Sequence, residues 1–501
     1  MTSQLRSQSS LLGFIVVGGL LLRVLFLVYG APVYYHDSSL VHLNGDSGSY
    51  MWAFENLLLK GHYSFDFLEP DAAFGRLPGY PFFYGLHYLV FGAARAAVAT
   101  VCTQTLLDAG AVLVVYGIVR QLAPTSASSA LVGAALYAAY PFIILWVPVI
   151  GTETLATDLT LLWVYMLVAY RSTTRYALAL GLLTAVCFFV REYLGILFPI
   201  TLGYLLLQYG RQPGRFEQGS LGRAVRAVVL VGLGFGVLYV GWPLRNYFNE
   251  HRLMLVKTKT AGYANYTPDV DSYYRWVHAW TYDENVWLDK LLSGKPVDFP
   301  HEAVETPADV AEARRLVALA RTCGSGFYVR RVTTQPVYRD TAAMLHNPEY
   351  RRFHFANCNS AISAGFSALE QRYAERHPWK YRFSVPLQNL RKGFFKSDTI
   401  ASHRETGDSH ALLLRVLFGY RTLLLLLGLA GLWRHWKLRL LPVALFFIFM
   451  YLFISFFLRG LEMRYLLQAD AALLVPAALL LGHWLDRWLP AVRPAAPPVA
   501  A

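Results

Sequence analysis

The chain alternates long apolar runs with short polar connections, and only one of its polar stretches is long. Runs of about 20 mostly apolar residues are typical of transmembrane helices. The pattern predicts about ten spans, near residues 11–29, 97–119, 128–147, 154–170, 176–190, 193–209, 227–242, 411–433, 439–458 and 465–485. We therefore predict an all-α polytopic membrane protein with a mainly helical domain inserted between spans seven and eight.

The polar stretches define the remaining organisation. The first loop, residues 30–95, contains two amphipathic stretches near 47–60 and 81–92, which predict helices on the membrane surface. Thr306 before Pro307 predicts the start of a helix in the long polar stretch. The predicted divisions are a transmembrane core (1–248), an extracytoplasmic domain (249–410), C-terminal transmembrane helices (411–490) and a disordered tail (491–501).

Composition and charge agree with this prediction. Hydrophobic residues make up 55% of the chain and charged residues only 15%, whereas soluble proteins carry about 25% charged residues. The net charge of +13 does not indicate nucleic-acid binding, because many arginines lie in short loops between spans. Basic loops mark the cytoplasmic side, so both termini are predicted to be cytoplasmic, and the first loop and residues 249–410 to lie outside.

With this topology, many charged residues fall at the outer ends of spans: Asp46, Glu153, Asp158, Arg191, Glu192, Arg245, Arg459, Glu462, Arg464 and Asp470. Charges at membrane depth are costly and usually mark a function or an ion pair. Snorkelling to the interface suits Arg459, but a short carboxylate such as Glu153 cannot reach far. An outward-facing polar cavity is therefore the favoured interpretation. Arg23 and Asp108 lie deeper, and we expect them to form a structural ion pair.

Cys323 and Cys358 both lie in the long polar stretch. If that stretch faces an oxidising compartment, the two residues are expected to form a disulfide. Two free thiols are the alternative, which the sequence leaves open.

Several short motifs follow the spans in a fixed order. They are Asp46-x-x-x-Tyr50, Gly61-His62-Tyr63, Arg76-Leu-Pro78-Gly-Tyr80-Pro81, Glu153-Thr-Leu, Arg191, Trp242-Pro243-Leu-Arg245-Asn246 and Glu462-Met-Arg464-Tyr465. In these motifs the chain resembles the glycosyltransferase C superfamily, in particular bacterial members near protein O-mannosyltransferases and lipid A aminoarabinose transferases. The resemblance covers roughly residues 1–248 and 411–485. Family members often carry a second acidic residue beside the first, where this chain has Ser47.

The resemblance implies that a sugar moves from a polyprenyl-phosphate donor to a hydroxyl acceptor (a lipid, glycan or protein), with inversion, at the outer face of a bacterial plasma membrane. It implies that Asp46 is the general base. The candidates for holding the donor phosphate are Arg76, Arg191, Arg245 and Arg464. Further site candidates are Tyr50, Tyr80, Glu153, Asp158 and Glu462. At least two of the arginines should then converge on Asp46.

Alternatives remain at this stage. Asp46 is also placed to cap the helix predicted from Ser47. Some relatives bind a metal near the first loop, but the spacing of His36, His42 and His62 fits no zinc pattern, so no cofactor is predicted. A transporter or flippase of a lipid-linked saccharide would also need an outer cavity with arginines. The sequence shows neither the repeats nor the polar path expected of one.

Overall fold

The computed structural model describes residues 2–67, 69–210, 218–258, 262–282, 284–332, 348–395, 408–460 and 462–488. Nearly all of the regular structure in these ranges is helical. The β structure in these ranges consists of an isolated parallel bridge between His42 and Val149. The prediction of an all-α protein is confirmed. The predicted tail and part of the basic linker after residue 210 lie outside the described residues.

The helices before residue 251 are α1 (Thr2–Leu25), α2 (Ala31–Tyr35), α3 (Ser47–Lys60), α4 (Gly79–Phe91), α5 (Ala93–Leu122), α6 (Ala127–Ala138), α7 (Pro141–Ile144), α8 (Thr152–Val168), α9 (Thr174–Val190), α10 (Leu197–Gly210), α11 (Gln218–Tyr239) and α12 (Gly241–Glu250). A π-helical turn, Phe26–Gly30, joins α1 to α2. The helices α3 and α4 confirm the two helical stretches predicted in the first loop.

The later helices are α13 (Pro268–Trp280), α14 (Glu284–Leu292), α15 (Pro307–Cys323), α16 (Ser325–Val332), α17 (Pro348–Phe355), α18 (Asn359–Arg376), α19 (Val385–Phe395), α20 (Asp408–Arg434), α21 (Leu441–Leu452) and α22 (Leu467–Trp488). The predicted cap of α15 is confirmed, since the Thr306 hydroxyl accepts a hydrogen bond of 3.1 Å from the backbone N–H of Asp309.

Six helical segments of the described chain have the length and composition to cross a membrane: Gln8–Tyr35, Ala93–Leu122, Leu221–Glu250, Arg415–Arg434, Leu438–Leu458 and Leu467–Trp488. The protein is thus a multi-pass membrane protein. The other predicted spans correspond to α6, α8, α9 and α10, which have 12, 17, 17 and 14 residues. At about 1.5 Å per residue, 17 residues cover less than the hydrocarbon thickness. Ten full-length spans are therefore not confirmed.

The helix α22 forms the centre of the membrane region. Of the most apolar part of α22, 83% is buried, against 17% for the first apolar segment and 22% for Leu221–Glu250. The core around α22 includes Val115, Trp163 and Leu473. Because the first turns of α22 are buried, they anchor the connection that leads into the helix and carries Arg464.

Buried ion pairs connect the membrane helices. The predicted pair of Arg23 with Asp108 is confirmed, and both side chains are fully buried. Arg421 and Asp470 form a second buried pair at 2.7 Å, which the sequence did not predict. Each pair satisfies charges that would be costly in a membrane if they were left alone.

The helices α13, α14, α15, α16 and α18 pack on a separate cluster of buried side chains that includes Tyr273, Trp276 and Phe366. The disulfide is confirmed: Cys323 at the end of α15 is bonded to Cys358, which directly precedes α18, and their Cα atoms are 5.4 Å apart. This covalent link holds two helices of the cluster together.

Candidate active site

A tight turn before α3 presents the Asp46 side chain. The Asn44 side-chain oxygen accepts hydrogen bonds from the backbone N–H groups of Asp46 (2.8 Å) and Ser47 (3.0 Å). The Ser47 hydroxyl in turn donates to the carbonyl of Ile150 at 2.6 Å. Asp46 occupies the N-cap position of α3, but its side chain makes no capping hydrogen bond. The carboxylate is therefore directed elsewhere, against the capping alternative.

Two arginines from distant parts of the chain bind this carboxylate. Arg76 Nη2 lies 2.7 Å from Asp46 Oδ1, and Arg464 Nη1 lies 2.7 Å from Oδ2. Arg76 is also oriented by Ser49, which accepts from its Nε at 2.7 Å, and by Tyr50, which accepts from Nη1 at 3.1 Å. The predicted convergence of at least two arginines on Asp46 is confirmed.

Tyr263 contributes a third contact to Asp46. Its hydroxyl donates to Asp46 Oδ1 at 2.9 Å and lies 2.8 Å from the Ser49 hydroxyl. The Arg76 guanidinium lies over the Tyr263 ring, with its central carbon 5.1 Å from the ring centroid. Residue 263 belongs to the long polar stretch, so that stretch reaches the carboxylate directly.

Arg191 and Glu153 form the neighbouring pair. Arg191 Nη1 lies 3.2 Å from Glu153 Oε1, and Arg464 Nη1 lies 3.8 Å from the same oxygen. The position of Arg191 depends on a close approach between α4 and the end of α9. A Cβ atom at Gly79 would lie 2.4 Å from the backbone carbonyl carbon of Phe189, so only glycine permits this packing.

Most of these charged groups line a cavity of about 690 Å³. Asp46, Arg76, Arg191 and Arg464 are in its wall, together with an ion pair between Lys257 and Glu192 whose nearest atoms are 2.5 Å apart. The rest of the wall is largely apolar. It includes Ile196, Pro199, Phe449, Phe453 and Leu458, which come from the region where α10 begins and from the segment that contains α21. One cavity thus combines several cationic side chains with an apolar wall supplied by helices.

The charges control the protonation of the carboxylates. Burial by itself would raise the pKa of Asp46, but the guanidinium groups of Arg76 and Arg464 outweigh it and hold the pKa well below its usual range. Glu192 is similar: burial opposes ionisation, but Lys257 lowers its pKa below the ordinary value. Both carboxylates are consequently ionised at neutral pH.

The remaining predicted site residues are not all in the cavity. Tyr50 lines it, Glu153 pairs with Arg191, and Glu462 forms an ion pair with Arg464. Tyr80 is buried beside the cavity: its hydroxyl accepts from the backbone N–H of Gly151 at 2.9 Å, which holds the turn before Glu153.

Two further predicted residues make their contacts elsewhere. The Tyr137 hydroxyl lies 2.5 Å from Asp108 Oδ1 and 3.2 Å from Asp158 Oδ1. Asp158 thus belongs to the buried Arg23–Asp108 cluster. Arg245 donates to the backbone carbonyls of Ala73 (2.9 Å) and Tyr63 (2.7 Å). In this position Arg245 supports the first loop and does not converge with the other three arginines.

The histidines considered as metal ligands lie in other surroundings. His42 stacks on Tyr35, with ring centroids 4.5 Å apart, and His62 Nε2 lies 3.6 Å from Glu250. Within the described ranges, no three His, Cys, Asp or Glu side chains are grouped as metal ligands.

Sequence reasoning missed Tyr263, Lys257 and the site role of Glu192. Tyr263 is 217 positions from Asp46, and no local motif marks it. Glu192 was visible as a charge at the end of a span, but its partner Lys257 lies in a stretch without any recognised pattern. Only the folded chain brings these groups together.

Comparisons with known proteins show which class of membrane protein this chain resembles. A family model described as dolichyl-phosphate-mannose-protein mannosyltransferase matches residues 73–235, which is less than half of the chain. The matched residues include Arg76, Glu153 and Arg191. The resemblance to the glycosyltransferase C superfamily is confirmed.

Solved oligosaccharyltransferase structures from Archaeoglobus fulgidus resemble nearly the whole chain in fold. The archaeal oligosaccharyltransferase AglB from Archaeoglobus fulgidus, in complex with an inhibitory peptide and a dolichol-phosphate, has a TM-score of 0.51 and 12% identity, covering 98% of this chain and 52% of that one. The apo form of the Archaeoglobus fulgidus oligosaccharyltransferase has a TM-score of 0.51 and 13% identity, covering 97% and 51%. The chain thus spans about half the length of these structures. No curated protein sequence matches it.

Proposed function

We propose that this protein is an integral membrane glycosyltransferase that moves a sugar from a polyprenyl-phosphate donor to a hydroxyl acceptor. The observation that carries the proposal is that Arg76 and Arg464 bind Asp46 and, with Arg191, line the same cavity as a set of apolar side chains. An anionic headgroup with a long apolar chain matches this combination of walls. The neighbours support it, since the matched family model is named for a dolichyl-phosphate sugar and an AglB structure contains dolichol-phosphate.

The donor phosphate is assigned to the arginines. Guanidinium groups bind phosphate oxygens with two parallel hydrogen bonds, and fixed cations stabilise the charge that develops on a leaving phosphate. The prenyl chain follows the apolar wall past Ile196, Pro199, Phe449 and Phe453. The sugar then lies beside Asp46, between the phosphate and the acceptor.

Asp46 is assigned as the general base. As the acceptor oxygen forms its bond to the anomeric carbon, its proton passes to the carboxylate. The bond between the anomeric carbon and the phosphate oxygen breaks, and its electron pair leaves with polyprenyl phosphate. Attack from the face opposite the phosphate inverts the anomeric centre.

The low pKa of Asp46 makes it a weak base while both arginines bind it, because a good base has a pKa near the working pH. A donor phosphate would take over hydrogen bonds from Arg76 and Arg464, which now bind the carboxylate. With fewer cationic contacts, the carboxylate regains basicity when the donor is bound. Donor binding and activation of the base are in this way linked.

The proposal includes the setting of the reaction. The site faces the outside of the plasma membrane, the termini are cytoplasmic, and residues 249–410 form an outer domain that selects the acceptor. This orientation rests on the distribution of basic residues between the loops.

The test uses purified protein in liposomes with radiolabelled polyprenyl-phosphate sugars and a membrane extract as the source of acceptors. We expect a labelled product with a new glycosidic bond and release of polyprenyl phosphate, both dependent on Asp46. The flippase alternative would move labelled lipid between leaflets without any covalent product. That second result would refute the enzyme assignment.

A further inference from the structure

A second cavity, of about 320 Å³, adjoins the donor cavity, and the two share Tyr266, Leu458 and Tyr465. Three helices supply most of its remaining wall. Tyr274 and His278 come from α13, Glu284 from α14 and Arg330 from α16. Glu462 completes it from the connection between α21 and α22. None of these five side chains lines the donor cavity, so the second cavity presents its own set of side chains.

Three aromatic rings form a row along this cavity. The Tyr266 and Tyr274 ring centroids are 5.7 Å apart with planes at 23°, and the His278 ring continues the row 6.0 Å from Tyr274 at 15°. The Arg330 guanidinium lies over both tyrosines, at 5.7 and 5.2 Å from their centroids, and its Nε donates to the carbonyl of Asn265 at 2.7 Å. Aromatic surfaces held in this way can pack against the C–H groups of a sugar ring.

The polar groups of the cavity are of complementary kinds. Glu284 and Glu462 accept hydrogen bonds when ionised, Arg330 only donates, and His278 can do either. His278 Nε2 lies 3.2 Å from Glu284 Oε2, but the alignment is poor and this nitrogen makes no hydrogen bond within the described structure. Hydroxyl groups both donate and accept, so a ligand rich in hydroxyls can pair with groups of each kind in this cavity.

We propose that this second cavity binds a saccharide, which is the hydroxyl-bearing acceptor of the transfer reaction. The proposal rests on the proposed function for its role as acceptor. Its position suits that role, because Glu462 contacts Arg464 and Arg464 binds Asp46. An acceptor hydroxyl that extends past Tyr465 therefore enters the donor cavity at the base. The size is that of a small-molecule pocket, which takes about 300 Å³ or more.

Binding is tested with the full-length protein in lipid nanodiscs, without any donor. Methyl pyranosides of common hexoses and aminohexoses are the probes, and saturation-transfer NMR is the readout. We expect at least one glycoside to bind, and Glu284→Gln and Arg330→Gln each to weaken its binding about tenfold, as for loss of a charged hydrogen-bonding partner. Glu312→Gln is the matched control, since Glu312 pairs with Arg315 on α15. Thermal unfolding of each variant verifies that it is folded.

Four outcomes would overturn the proposal. The first is that no glycoside binds, and the second is that both variants retain the binding. The third is that a serine- or threonine-containing peptide binds in place of the glycosides. The fourth is that polyprenyl phosphate alone displaces the glycoside, which would place the glycoside in the donor cavity. Failure of the proposed function gives a separate result. If variant-sensitive glycoside binding is found but no polyprenyl-phosphate sugar is ever transferred, the saccharide site stands and its role as acceptor site falls.

Discussion

Replacing Asp46 by asparagine separates the two roles of this side chain, as a base and as a partner of the arginines. An amide of the same size cannot take the acceptor proton. Loss of a positioned general base costs about 10² to 10⁴ in rate, which corresponds to about 2.7 to 5.4 kcal/mol in activation free energy. We expect transfer by Asp46→Asn to fall by this factor.

The same substitution should not weaken donor binding. Asp46 competes with the donor phosphate for the guanidinium groups of Arg76 and Arg464, each 2.7 Å from its carboxylate. Removal of one partly hydrated competing charge is worth about 1 kcal/mol, or about fivefold tighter binding of polyprenyl phosphate. A base that played no part in donor recognition would leave this affinity unchanged.

The stability of the protein should fall, although the side chain keeps its size. The amide Nδ2 cannot accept a hydrogen bond, so one arginine loses its partner at a cost of about 1 to 3 kcal/mol. The protein should nevertheless stay folded, because the turn is held by Asn44 and Ser47, whose hydrogen bonds do not involve the carboxylate.

The assay combines initial rates with a labelled donor, affinity for polyprenyl phosphate in nanodiscs and thermal unfolding. Asp37→Asn is the matched control, since Asp37 is a carboxylate of the same loop, its side chain is 54% exposed, and it is not part of the cavity wall. Near-normal transfer by the folded Asp46→Asn protein would refute the base assignment. A parallel loss of donor affinity and rate would show that Asp46 acts mainly by placing the arginines.

Three further predictions follow from the same geometry. Arg464→Lys should weaken polyprenyl-phosphate binding about tenfold, because an ammonium cannot make the two-pronged contact. Arg459→Lys is its control, because Arg459 donates to the Tyr381 carbonyl. An equal loss of polyprenyl-phosphate affinity in both variants would contradict the assignment. Cys323→Ser should lower the free energy of unfolding by about 2 to 4 kcal/mol, because the disulfide with Cys358 closes a loop of 35 residues. An unchanged unfolding temperature would count against a stabilising role for the disulfide. The stability difference between wild type and Asp46→Asn should be constant from pH 5 to 8. Because the pKa of Asp46 is lowered in the folded protein, its carboxylate contributes fully to the free energy of unfolding above its unfolded-state pKa of about 3.9 and loses this contribution only at lower pH. A stability difference that shrinks between pH 8 and pH 5 would contradict this reasoning.

The apolar pattern was sufficient to predict an all-α membrane protein, the helices α3 and α4, and the capped start of α15. These features depend on local chemistry: burial of apolar side chains in lipid, amphipathic spacing, and a threonine before a proline. The pattern also predicted spans at α6, α8, α9 and α10, and these are not confirmed as full-length spans. Apolar composition does not show where a helix ends, and Pro141 and the 3₁₀ turn at Glu192–Ile196 divide the chain there.

The candidate site shows the same limit more sharply. The motifs identified Asp46, Arg76, Arg191 and Arg464, and the topology placed them on one side. They did not identify Tyr263 or Lys257, nor did they show that Arg245 binds backbone carbonyls outside the cavity. Which charges meet depends on helix packing, such as the approach that Gly79 allows between α4 and α9. The sequence by itself determined which residues carry charge at the membrane surface, because that depends on composition and spacing. Only the tertiary structure decided which of them share a cavity, because contacts between residues hundreds of positions apart are set by packing.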